Sequence, residues 1–162
     1  MNRMEIAEIL AKPYSQQLLH GGIPARFAYI GVDGDPRVIP IGFHFDGEQL
    51  QLFTVPRAAK VRALRQNPRV SLTIDTAGFP PKVLLVRGTA DLELVEGVPD
   101  NYLHASSNLV PADQFDEWKA GVQALYDQMV RITITPTWAK LIDFETTLPQ
   151  SVEDIIAAKQ PG

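Results

Sequence analysis

The sequence predicts a mainly β fold, an antiparallel barrel with added helices, in a single domain of 162 residues. Three observations predict it. About seven stretches alternate apolar and polar residues with the period of a half-buried strand. Most are joined by short turn signals, which suit antiparallel neighbours rather than the helical crossovers of a parallel sheet. Helical spacing is confined to the two ends, one insertion and one short basic segment.

Each element has a local reason. Ile6, Ile9 and Leu10, then Leu18 and Leu19, give residues 3–19 a helical face, broken near Pro13 and ended by Gly21-Gly22. This N-terminal helix occupies 1–22. Residues 25–32, ARFAYIGV, read as the first strand, closed by Asp33-Gly34-Asp35-Pro36. Residues 37–45 alternate, with Ile39, Ile41, Phe43 and Phe45 on a bulky face and Val38, Pro40, Gly42 and His44 on the other. Gly42 marks a close approach, by a ligand or by another backbone. Asp46-Gly47 is a hairpin turn, and Leu50, Leu52 and Thr54 belong to the partner strand. Thr54 is expected to cap a short helix with Pro56 in its first turn, Ala58, Val61 and Leu64 as its stripe and Asn67-Pro68 as its stop. Val70, Leu72 and Ile74 form the next strand, and Thr76–Pro81 a loop. Residues 82–95 are the longest strand signal, with a bulge or sharp bend at Gly88. From 97 to 127 the chain changes to a helical insertion, with helices expected at 100–107 and 112–127, the second striped by Phe115, Trp118, Val122 and Leu125. Strands Met129–Thr135 and Thr137–Phe144 follow around Pro136, and the tail 148–162 holds a short helix at 151–158.

One corner is chemically unusual. In Thr54-Val55-Pro56-Arg57-Ala58-Ala59-Lys60 a strand ends, a helix begins and two cations gather. A helix start already carries partial positive charge, so Arg57 and Lys60 have the wrong sign for it. Unused backbone N–H groups there add to the attraction for an anion. A phosphate resolves the conflict, and the corner is a candidate phosphate seat. The plain alternative is two solvated surface cations, and no glycine-rich phosphate loop accompanies them.

Composition narrows the function. A net charge of −4 and a pI of about 5.3 argue against nucleic-acid binding. No apolar run approaches the roughly 20 residues of a membrane span. With no cysteine there is no thiol catalysis and no Cys-zinc site. The start MNRMEIAEIL lacks signal-peptide features, so a cytoplasmic location is expected. His20, His44 and His104 have no partners at metal-ligand spacing. His44 shares a strand face with Gly42, where it either lines a pocket or is a satisfied structural histidine. Ser106-Ser107 lacks nucleophile-elbow glycines. Asp91, Glu93 and Glu96 read as a solvated edge, and Trp118 as core. Trp138 has three readings: core packing, stacking on a ring, or a subunit contact.

The run Arg37-Val38-Ile39-Pro40-Ile41, the pair Phe53-Thr54 with Lys60 six residues after Thr54, Asn67-Pro68-Arg69-Val70-Ser71-Leu72, and Val86-Arg87-Gly88-Thr89-Ala90 resemble the pyridoxamine 5′-phosphate oxidase-like family. The resemblance covers residues 20–96 well and the remainder loosely. It implies a split β-barrel that forms a homodimer and binds a flavin, typically FMN, in clefts at the subunit interface. By position it implies that Arg37, Val38, Ile39 and Pro40 lie along the flavin, partly through backbone groups. Phe53 and Thr54 then stand near the ribityl-phosphate end. Lys60 contacts the phosphate, and Arg57 is a local addition. The chain departs from the oxidases proper, which carry Ser-Arg-Lys where this sequence has Ala58-Ala59-Lys60. They have a lysine where it has Gly42, and a substrate-binding C-terminal segment unmatched in 148–162. Oxidation of pyridoxamine phosphate itself is therefore not expected, and the weakened phosphate site also suits the sister branch that binds the deazaflavin F420.

Three functions follow: an FMN-dependent oxidoreductase passing hydride to or from a small substrate, an F420-dependent reductase of the same fold, and a protein that binds a flavin, haem or other ligand without turnover. In the first two the cofactor supplies the chemistry, so no catalytic side chain is nominated.

Overall fold

The computed structural model describes residues 1–162. Seven strands form one antiparallel sheet, with six helices around it. In chain order these are α1 (Arg3–Ala11), α2 (Pro13–His20), β1 (Ala25–Ile30), β2 (Pro36–Ile41), β3 (His44–Phe45), β4 (Leu50–Thr54), α3 (Ala59–Gln66), β5 (Arg69–Asp75), β6 (Val83–Glu96), α4 (Asp100–Ser107), α5 (Phe115–Leu125), β7 (Gln128–Ile142) and α6 (Gln150–Lys159).

The strand order is β2-β1-β5-β6-β7-β4-β3. Successive strands β2 and β3 therefore lie at opposite edges, joined only by Gly42 and Phe43. Laid flat, seven strands would separate their outer edges by roughly 29 Å. The chain from Ile41 to His44 spans at most about 11 Å. The sheet has to curl until its edges nearly meet. The edges do not pair, so the result is a split barrel.

Curling places one face inside. Ala25 and Phe27, Leu50 and Leu52, Val70, Leu72 and Ile74, Leu84, Val86 and Ala90, and Val130, Ile132 and Ile134 form the interior of a core of 22 buried residues. Ile6, Leu10, Leu18 and Leu19 of α1 and α2, and Val61 and Leu64 of α3, belong to the same core. Asn2 opens α1 with a reciprocal capping box to Glu5, and the helix breaks before Pro13 as expected.

A bulge keeps the interior apolar along the two longest strands. Arg87 faces Trp138 but Gly88 faces Pro136, so Thr137 is the extra residue. Inward positions on β7 accordingly switch from Val130, Ile132 and Ile134 to Ala139 and Leu141. A Cβ on Gly88 would stand 2.5 Å from the Thr135 carbonyl oxygen, which is why glycine sits there. Pro136 does not divide the region into two strands, as the sequence reading had it. The bulge accommodates a residue without an N–H, and β7 runs on through it.

Three other expectations change. Residues 37–45 are two strands, because Gly42 and Phe43 carry the chain from one edge to the other. The basic helix starts at Ala59 with Ala58 as its N-cap, and Thr54 ends β4. Pro56 keeps Val55 out of helical geometry, and a turn closed by Ala58 N–H to Val55 O (3.1 Å) intervenes. The helix expected at 112–127 is a single 3₁₀ turn, Ala112–Gln114, followed by α5.

Candidate functional site

The corner between β4 and α3 is built from few parts. Thr54 is buried at the strand end, and its Oγ1 accepts from the Lys60 ammonium at 3.3 Å. Lys60 is half-buried, and burial lowers its pKa from the ordinary lysine value. No carboxylate lies within 4.0 Å of it. An ammonium has three donors, and this one makes a single long hydrogen bond inside the protein. The start of α3 has neither a side-chain cap nor an acid in its first turn. Arg57 is exposed in the preceding turn, with no ion pair. Two cations, a hydroxyl and uncapped N–H groups thus share one corner without a negative charge, an arrangement that accepts an oxyanion.

The other nominated residues are elsewhere. Arg37 is committed to the β1–β2 turn: its Nη2 donates to Asp33 Oδ2 at 2.5 Å and its Nη1 to the Asp35 carbonyl at 3.1 Å. Val38 and Pro40 are exposed and Ile39 half-buried on β2, an edge strand paired only with β1. Phe53 neighbours Thr54 in sequence but projects to the outer face of the sheet, where it is buried beside Tyr102 with ring centroids 5.9 Å apart. No hydrogen bond or ion pair joins residues 37–40 to Thr54, Arg57 or Lys60 within the chain.

The helical insertion packs outside β3 and β4. An aromatic ladder runs outward from Phe53 to Tyr102 of α4 and on to Trp118 and Phe115 of α5, with centroid spacings of 5.9, 5.8 and 5.6 Å. Asn101 Nδ2 donates to Gln51 Oε1 at 2.9 Å. Gly42 is the point of closest approach, since a Cβ there would stand 3.0 Å from the Ala105 carbonyl oxygen and 3.1 Å from Leu109 Cδ1. Of the two readings of Gly42, another backbone is the one observed. The absence of a side chain at Gly42 lets α4 seat there. Sequence reasoning did not anticipate that Tyr102 packs on Phe53. The only available signal was the run of aromatics across two consecutive helices.

The three histidines converge. His20, His44 and His104 line one cavity of about 40 Å³, between the end of α2, β3 and α4. His44 and His104 meet edge to face at 5.0 Å, and His20 packs on Phe45 at 5.8 Å. Burial first, then the charges of His104 and His20, lower the His44 pKa, with Asp46 opposing. No group of three or more His, Asp or Glu is placed to hold a metal ion. Trp138 lies under the Arg87 guanidinium at 4.2 Å, a contact that none of its three readings named.

No helix is long and apolar enough to cross a membrane. No curated protein matches the chain. Solved structures share the fold. A protein described as an F420 reductase is 24% identical, covering 77% of this chain and 94% of its own, with a TM-score of 0.59. An FAD-binding protein from Mesorhizobium loti is 25% identical, covering 78% and 89%, with a TM-score of 0.54. General stress protein 26 from Bacillus anthracis is 17% identical, covering 86% and 95%, with a TM-score of 0.58. The sequence profile of the pyridoxamine 5′-phosphate oxidase family matches residues 16–135. With that match over most of its length, and a split barrel to carry it, the chain belongs to the pyridoxamine 5′-phosphate oxidase family.

Proposed function

We propose that this protein binds a flavin-type cofactor, with its phosphate at Lys60, and transfers hydride between that cofactor and a small substrate. The observation that carries the reading is Lys60: a half-buried ammonium, desolvated, with one hydroxyl contact and no counter-charge, at an uncapped helix start. A cofactor phosphate supplies the missing charge. Thr54 holds the ammonium in place, the α3 N–H groups add donors, and Arg57 closes the exposed side. FMN supplies hydride exchange at its ring when bound. The protein's own part is to anchor, orient and exclude water.

Residues 37–40 and the Lys60 corner are not joined within one chain. This supports a homodimer in which the cofactor bridges them, each copy contributing one part. The mass of the purified protein by light scattering tests that directly.

F420 is the second reading, favoured by Ala58-Ala59 in place of two phosphate-binding side chains and by the resemblance to an F420 reductase. Mass and absorbance of whatever copurifies distinguish them: FMN gives its own spectrum, whereas a colourless protein that changes F420 fluorescence on titration indicates the deazaflavin. Bound cofactor that is neither reduced by NADH, NADPH or reduced F420 nor reoxidised by acceptors indicates binding without turnover. Unchanged cofactor affinity in a Lys60→Ala, Arg57→Ala variant rejects the proposed anchor.

A further inference from the structure

We propose that His44 and His104 form an acid-sensitive joint that holds the helical insertion, residues 97–127, against the barrel and releases it as pH falls below neutrality. The joint contains none of residues 37–40, Thr54, Arg57 or Lys60, and it does not rest on the cofactor reading.

The insertion is lightly anchored. Within 97–127 only Leu103 and Val122 are buried. A segment with so little buried apolar surface opens at lower free energy than the core it sits on. Tyr102 of α4 packs on Phe53, and Asn101 donates to Gln51. Ala105 and Leu109 close on Gly42, in the crossover between the sheet edges. His104 meets His44 edge to face at 5.0 Å. Of these attachments, only the imidazole pair changes charge between about pH 5 and 8.

The surroundings make that charge costly. His44 directly follows the Gly42-Phe43 crossover and is half-buried between α2, α4 and the β3–β4 turn. It faces His20 from α2, His104 from α4 and Asp46 from the turn, while Gln51, opposite it on β4, is uncharged. Asp46 is the one carboxylate among them, and its Oδ1 already accepts from the N–H groups of Glu48 and Gln49. The cavity that the three rings line, about 40 Å³, is far too small for an organic counter-ion. His20 and His104 are exposed and take up protons freely, which places positive charge on two sides of His44. Swinging α4 away removes the two largest causes that hold the His44 pKa down, burial and the charge of His104. The opened state therefore binds a proton at higher pH than the closed one. Acid favours opening, beginning near the ordinary histidine value of about 6.5.

The test is native-state hydrogen exchange on the full ¹⁵N-labelled chain between about pH 7.5 and 5, each amide's rate divided by its rate in unfolded peptide at the same pH. Leu103 and Tyr126, whose N–H groups are bonded to Pro99 and Val122, report opening of the insertion. Leu72 and Ile132, each paired on both sides in the sheet, report the barrel. Opening of the insertion should rise by up to about tenfold for each unit that pH falls, the slope of one proton taken up. Leu72 and Ile132 should stay far better protected at every pH. His44→Gln keeps a polar side chain that does not titrate and should flatten the slope. His104→Gln, at an exposed position, should reduce it, and keeps the test decisive if His44→Gln does not fold. The proposal fails if the insertion opens equally at all pH values, if insertion and barrel share one opening constant, or if either variant keeps the parent's slope.

Discussion

Lys60→Met separates an anchoring role for Lys60 from a structural one, because the two predict opposite signs. In the free protein, the ammonium gains one hydrogen bond of 3.3 Å to Thr54, long for an N–H donor and worth about 1 kcal/mol at most. Against that stands the cost of holding a charge half out of water with no carboxylate beside it, which is what lowers its pKa. Methionine keeps the apolar stem and removes the charge. The melting temperature of the cofactor-free protein should be unchanged or rise by up to about 4 °C, taking about 2–4 °C per kcal/mol for a chain of this size. Cofactor affinity should fall about 10- to 150-fold, the equivalent of the 1.5–3 kcal/mol attributed to a hydrogen bond with a charged partner. Differential scanning fluorimetry reads the first and fluorescence titration with FMN and F420 the second. A drop of more than about 4 °C together with unaltered affinity would refute the reasoning and make Lys60 a structural residue.

Four further outcomes are expected. Gly42→Lys should detach α4, since even a Cβ meets the Ala105 carbonyl at 3.0 Å; a loss of about 1–3 kcal/mol and a change in near-ultraviolet dichroism from Tyr102 and Trp118 would show it. Gly88→Ala pushes a methyl to 2.5 Å from the Thr135 carbonyl, a backbone atom that cannot rotate away, so urea unfolding should show a loss of about 2–3 kcal/mol. Asp143 is buried. Burial raises its pKa, but hydrogen bonds from Thr146 and from the N–H groups of Glu145, Thr147 and Thr146 outweigh this and hold it well below the usual carboxylate range. Its stabilisation is therefore present above about pH 4 and declines as the unfolded chain takes up a proton at lower pH; Asp143→Asn should flatten that part of a stability–pH curve. His44 has the reverse chemistry and the same direction. Its lowered pKa means the unfolded state binds the proton first, so stability should fall as pH drops below about 6.5, and His44→Gln should remove that component.

Much of this molecule is written locally. Alternation located all the strand-forming regions, Pro13 broke the first helix, and Gly88 marked the bulge because a missing side chain in a long strand has few other meanings. The charge conflict at Arg57 and Lys60 was also legible, since it needs only the sign of a helix dipole. The structure adds that Lys60 turns back onto Thr54 while Arg57 faces solvent, a distinction that depends on where Pro56 ends the strand and Ala58 begins the helix.

What stayed hidden was pairing. Period-2 patterning states that a residue faces in or out, not which strand lies beside it. Nothing in residues 37–45 reveals that Gly42 and Phe43 carry the chain from one sheet edge to the other, because that follows from the order of all seven strands. For the same reason Gly42 left two readings open until Ala105, far along the chain, was seen against it. The sequence by itself determined the barrel class, its bulge and the charged corner, all products of local sterics and charge. Only the tertiary structure decided which edges approach, that α4 packs on Gly42 and Phe53, and that Arg69 and Arg87 share a face, because those depend on contacts between residues that chain order keeps apart.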